Sequence, residues 1–97
     1  MKDNIRQTFG DLLVDALRDT GRDVSTVTKE VRDYAVEQME QLAEAVGQPG
    51  FGLAVTAAAD NVAMRLGIST VEVADRADAR IWGIIAGAIG IGARAIG

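Results

Sequence analysis

Ile81 to Gly97 read IWGIIAGAIGIGARAIG, a run of isoleucine, alanine and glycine whose single charge is Arg94. Wound as an α-helix at 100° per residue, Gly83, Gly87, Gly90 and Arg94 fall within a sector of about 60°, with Ala79, Ala86 and Ala93 beside them. Ile81, Trp82, Ile84, Ile85, Ile89, Ile91 and Ile96 spread over the rest of the circumference. A helix that is apolar almost all round must be buried in protein or lipid. Each interior glycine costs roughly 1 kcal/mol of helix stability relative to alanine, so Gly83, Gly87, Gly90 and Gly92 cost about 4 kcal/mol together. Close backbone approach offsets that cost: Gly83-x-x-x-Gly87 has the small-x-x-x-small spacing, a glycine zipper, that lets two helices meet near van der Waals contact. The helix-packing surface is therefore Ala79, Gly83, Ala86, Gly87, Gly90 and Ala93, with Trp82, Ile85, Ile89 and Arg94 as candidate anchors on a partner or membrane. Three uses of the surface stand open: an intrachain pair of Ala54–Ala59 against Gly83–Gly90, packing between molecules, or a strand, because Ile85, Gly87, Ile89, Ile91 and Ala93 also alternate with a period of two.

Upstream of this run, residues 3 to 20 place Ile5, Phe9, Leu12, Leu13, Ala16 and Leu17 on one stripe of an amphipathic helix. Asp3 is its expected start cap and Gly21 its end cap. Asp11, Asp15 and Asp19 line the opposite face, either as a solvated surface or as a docking stripe for a basic partner. A second helix is expected from Asp23 or Ser25 to Val46, with Val24, Val27, Val31, Tyr34 or Ala35, Gln38 or Met39, Leu42 and Val46 as its apolar seam. That near-heptad spacing suits a bundle helix or a coiled-coil partner. Gly47-Gln48-Pro49-Gly50 breaks the chain, because proline lacks an amide hydrogen and glycine accepts turn conformations. So short a linker joins antiparallel neighbours within one domain. The third helix, Phe51 to Leu66, is rich in alanine and ends at Gly67; Ser69-Thr70-Val71-Glu72 then matches a capping box that opens the fourth.

The fold expected is all-α: helical hairpins or a small four-helix arrangement in one domain, 1–97. It divides into an acidic half (1–46), a turn (47–50) and an Ala/Gly-rich half (51–97). Residues 1 to 46 carry ten acids against six bases and the remainder four of each, which gives the net charge of −4. Nucleic-acid affinity rests on clustered Lys and Arg, so this balance argues against a nucleic-acid partner. Asn61 to Arg80, NVAMRLGISTVEVADRADAR, nonetheless resembles a helix-turn-helix motif, with Ala63 at its small position, Gly67 at its turn, Ile68 and Ser69 after it, and Val73 in its second helix. That resemblance implies a helix in the major groove. Glu72, Asp75 and Asp78 would repel phosphates there, Arg76 stands where the motif is apolar, and a helical corner that does not bind DNA is the expected reading.

Histidine and cysteine are both absent, which removes imidazole bases, thiolates, disulfides and the common zinc ligands. Asp75 with Asp78, and Glu40 with Glu44, share helix faces without the apolar pocket that makes a carboxylate an acid or base. No phosphate loop or nucleophile elbow appears. The expectation is a protein that is not an enzyme and takes no cofactor or metal. The N-terminal residues lack the basic start and apolar run of a secretory signal. Ile81–Ala93 would span roughly 20 Å as a helix, short of the ~30 Å hydrocarbon core of a bilayer.

In style, an acidic helical part joined to GIIAGAIGIGARAIG resembles small accessory proteins of bacteriophage particles. That resemblance implies a minor virion component. The functional expectation is a structural or assembly protein whose C-terminal helix packs against copies of itself in a homo-oligomer, partner proteins or a membrane. The alternatives are a holin-like, membrane-perturbing protein that uses Phe51–Ala59 and Ile81–Gly97 with Trp82 at an interface, and third, a transcriptional regulator.

Overall fold

The structure, a computed structural model, describes residues 2–68 and 76–97. Its helices are α1 (Lys2–Asp19), α2 (Lys29–Ala43), α3 (Phe51–Arg65) and α4 (Arg76–Ile96), with a 3₁₀ turn at Val24–Thr26. No strand occurs among the described residues, so the period-two alternation of Ile85 to Ala93 is not used. The fold is all-α, and its apolar C-terminal helix packs against the other three.

Local chemistry sets most of the boundaries. α1 stops because Gly21 takes φ +74°, where L side chains are strained. Its N–H donates to Arg18 C=O at 3.0 Å and that of Arg22 to Leu17 C=O at 2.8 Å, the paired bonds of a Schellman end. Gly67, at φ +72°, ends α3 in the same way, with Ile68 N–H donating to Ala63 C=O at 3.0 Å and the Ile68 side chain buried. Asp3 lies inside the first turn of α1, bonded to Arg6 at 2.8 Å, rather than ahead of it as a cap.

The second helix starts later than expected. Asp23 accepts from Ser25 N–H at 2.9 Å, which closes only the 3₁₀ turn; hydrogen bonding to the Ser25 side chain first, and to that N–H as well, holds the Asp23 carboxyl below its ordinary pKa. Thr28 Oγ1 then accepts from Val31 N–H at 3.2 Å and caps α2 proper. Short polar side chains that bond nearby amides compete with helix continuation, and here two of them divide the segment. At the far end α2 gives way to turns from Glu44 onward, and Gly47 adopts φ +83°. The expected capping box, Ser69–Glu72, lies outside the described residues.

Successive helices run antiparallel. Gly10 of α1 lies against the Arg32 side chain of α2, whose Met39 lines a groove with Asn4 and Ile5. Arg65 near the end of α3 stacks on Tyr34 near the start of α2, 3.6 Å from the ring centroid. Trp82 of α4 reaches Asp60 of α3, and Arg94 lies over Phe51. Arg22, just after α1, pairs with Asp78 at the start of α4. α2 and α4 sit on the short diagonal and touch most extensively, while α1 and α3 flank them. Glycine permits that approach: a Cβ on Gly92 would collide with the Met39 thioether, and one on Gly97 would lie 2.8 Å from the Ala43 carbonyl oxygen. Ile81, Ile85 and Ile89 fill the centre with no exposed surface. Each contributes about 1.5–3 kcal/mol by burial.

Candidate interaction surface on the C-terminal helix

The inward stripe of α4 is Ile81, Ile85, Ile89, Gly92 and Ala93, all buried. Four- and three-residue steps keep these on one side of a helix. Arg76, Arg80, Gly83, Gly87, Ile91 and Arg94 therefore look outward, and all six are exposed. The expected packing residues divide between the two sides. Ala79, Gly83 and Gly87 are exposed, Ala86 is half-buried, and Gly90 and Ala93 are buried.

A Cβ on Gly83 or Gly87 would meet nothing within 4 Å. The expected intrachain pairing of Ala54–Ala59 with Gly83–Gly90 thus does not engage these two glycines. α3 packs on α4 with its own Ala58, Ala59 and Val62 buried, and α4 turns its isoleucines inward because burying three of them removes far more apolar area from water than apposing glycines would. The glycines that do mediate close approach are Gly92 and Gly97, toward α2.

Two expected anchors also change role. Ile85 and Ile89 have no exposed surface and belong to the core, so within this fold they cannot reach a partner. Trp82 is half-buried, its indole N–H donating to Asp60 Oδ1 at 2.7 Å, which ties α4 to α3. Arg94 stays exposed on the outer face, its guanidinium 5.1 Å from the Phe51 ring centroid. A cation over an aromatic face contributes about 0.5–1 kcal/mol at an exposed site.

Large apolar side chains are also exposed on three of the helices. Among the described residues Leu12 (45%), Leu53 (80%), Met64 (64%) and Ile91 (69%) are the exposed ones. Leu53, Asp60 and Met64 are spaced by seven and four residues and share a flank of α3. Asp60 reaches Trp82 of α4, while Leu53 and Met64 lie opposite the buried face of α3. On the other side, Leu12 and Ile91 border a groove of about 300 Å³ between α1 and α4, whose walls and floor include Ile5, Phe9, Met39 and Ala88; Asn4 and Thr8 are its polar residues. The sequence reading missed Leu53 and Met64, although their spacing was available as a signal. It also assigned Leu12 to the core stripe.

The exposed charges of α1 and α4 differ mostly in sign, the exception on the acidic face of α1 being Arg18, exposed and 3.9 Å from Asp15. The exposed charged side chains of α4 are Arg76, Arg80 and Arg94, whereas Asp11, Asp15 and Asp19 are exposed on α1. Asp78, the remaining charge of α4, pairs with Arg22. Between α1 and α2, Asp33 is held below its ordinary pKa by the Lys29 hydrogen bond first and by Arg6 as well. The segment that resembles a helix-turn-helix contributes buried Ala63 and exposed Arg76 and Arg80; Ser69, Val73 and Asp75 fall outside the described residues. Among the described residues no three His, Cys, Asp or Glu side chains gather in a way that could hold a metal ion. This surface offers van der Waals contact, burial and ion pairing, the chemistry of association. Comparison with protein-family models, with curated proteins and with solved structures finds no match to the chain.

Proposed function

We propose that this chain is a non-enzymatic structural or assembly protein that packs through the outer face of α4 against another polypeptide. One observation carries the reading. Gly83 and Gly87 stand mid-helix with open space where a side chain would be, which costs the isolated chain about 2 kcal/mol and returns nothing within it. Contact with a neighbouring helix recovers that cost, and Ile91, exposed on the same face of α4, supplies apolar area to the same contact. A minor component of a phage particle, the setting implied by the resemblance of the C-terminal run, is one place where such a module would serve.

The test is sedimentation equilibrium of the full chain and of a Gly83→Leu/Gly87→Leu variant. Neither leucine meets an atom of its own chain at Cβ, so helicity is retained while the assembled mass falls. An unchanged mass would overturn the proposal.

A membrane reading has its own observation. α4 is long and apolar enough, by length and composition, to cross a bilayer: 21 residues with an 18-residue window of mean hydropathy 1.4. At about 31 Å its length suits the hydrocarbon core. Crossing would withdraw Ile81, Ile85 and Ile89 from the protein core, leaving a cavity under α2 and α3. Co-flotation with neutral vesicles would favour this use over packing on protein.

A further inference from the structure

We infer that the polypeptide covering this surface is a second copy of the chain, joined by a two-fold axis that runs parallel to the helices along the α1–α4 seam. The inference rests on the assembly reading above and names its partner. The seam is apolar, consisting of the open groove with Leu12 and Ile91 exposed on its two banks. Charge and register select a second copy.

Arg22 pairs with Asp78, which sets the level of the antiparallel helices α1 and α4. Counting equally from that pair puts Leu12 level with Ala88 and Asp19 level with Ile81. Leu12, Asp19 and Thr8 lie within about 40° on the rim of α1 next to the seam; Gly87, Arg80 and Ile91 lie within about 40° on the facing rim of α4. All six are exposed. A two-fold axis along the seam preserves these levels and lays α1 of each copy over α4 of the other.

Within one residue of that register, the second copy's Leu12 falls on the bare backbone at Gly87, its Asp19 beside Arg80, and its Thr8 beside Ile91. The match arises because Leu12 to Asp19 and Gly87 to Arg80 are both seven-residue steps, about 10.5 Å along a helix. An exposed side chain meets the place where one is missing, acid meets base, and symmetry repeats both contacts. The competing occupants fail on charge. An α4-on-α4 dimer sets arginines against arginines, and an anionic lipid surface against the seam meets Asp15 and Asp19.

The experiment is sedimentation equilibrium of the full chain as wild type, R80E, D19R and an equal mixture of the two variants, with circular dichroism to confirm helicity. The expected result is a wild-type dimer, dissociation constants raised roughly tenfold in each variant alone, and recovery of dimer in the mixture, where one contact is the native Asp19–Arg80 pair and the other is that pair with both charges reversed. Wild-type dimer that resists R80E and D19R, or a mixture that fails to recover, would overturn the seam interface. If Gly83→Leu/Gly87→Leu still dissociated that dimer, the α4 packing reading would survive with the second copy docked elsewhere than along the seam. A wild type that stays monomeric to millimolar concentration would overturn both.

Discussion

The same substitution, glycine to alanine, should change stability in opposite directions at two places on one helix. At Gly83 and Gly87 an added methyl meets nothing within 4 Å and the backbone is helical, so alanine contributes its full helix-propensity advantage. That is about 0.5–1 kcal/mol per site, or about 1–2 kcal/mol for the double variant. For a domain of this size each kcal/mol raises Tm by roughly 4–8 °C. At Gly92 the methyl would run into the Met39 thioether, on the diagonal where α2 and α4 touch. Overpacking of that kind typically costs 1–3 kcal/mol, partly relieved because methionine is flexible. Thermal unfolding followed by circular dichroism should be run at micromolar concentration, where a weak dimer is dissociated, and again at a hundredfold more protein. Dilute Gly83→Ala/Gly87→Ala melts higher than wild type and Gly92→Ala melts lower. At high concentration the advantage of the double variant shrinks, because the added methyls stand in the way of the partner helix. If the double variant melted below wild type in dilute solution, those positions would not be open, and no bare flank would face a partner.

Two further outcomes follow from the polar contacts between helices. Trp82→Phe removes the indole N–H that Asp60 accepts at 2.7 Å; it should cost about 1–2 kcal/mol in urea unfolding, and little further loss on adding Asp60→Asn would show that the two act as a pair. Asp33 has its carboxyl pKa lowered by the Lys29 hydrogen bond and then by Arg6. A carboxyl whose folded pKa is depressed stabilises above its unfolded pKa, and that contribution is lost as pH falls through the folded value. Stability measured across pH 2 to 5 should therefore fall less steeply toward acid in Asp33→Asn than in wild type, and parallel profiles would refute the assignment.

Helix content and most helix ends were legible along the chain because they depend on neighbours in sequence. Gly21 and Gly67 mark stops through their own backbone freedom, and Phe9, Leu13 and Leu17 mark a buried stripe through their spacing. The start of α2 is not legible from sequence, because Asp23 and Thr28 can both cap and local composition does not rank two caps five residues apart. Leu12 and Leu13 show a similar limit. Both fit the apolar stripe of α1, yet Leu13 is fully buried and Leu12 stands 45% exposed, because α4 approaches α1 from one side only.

The apolar tail shows where local reading stops. Its composition required burial on at least one side, since so much isoleucine cannot face water all round, and if wound as a helix its glycine spacing required a bare flank. Which flank turned inward was decided by the other three helices. Ile81, Ile85 and Ile89 have enough side chain to fill the space among α1, α2 and α3, so they took the centre, while Gly92 and Gly97 yielded to Met39 and Ala43 on the diagonal. Gly83 and Gly87 were left outside. Periodicity depends on a single helix and can be read along it, but the inward direction depends on which packing of all four removes the most apolar area from water.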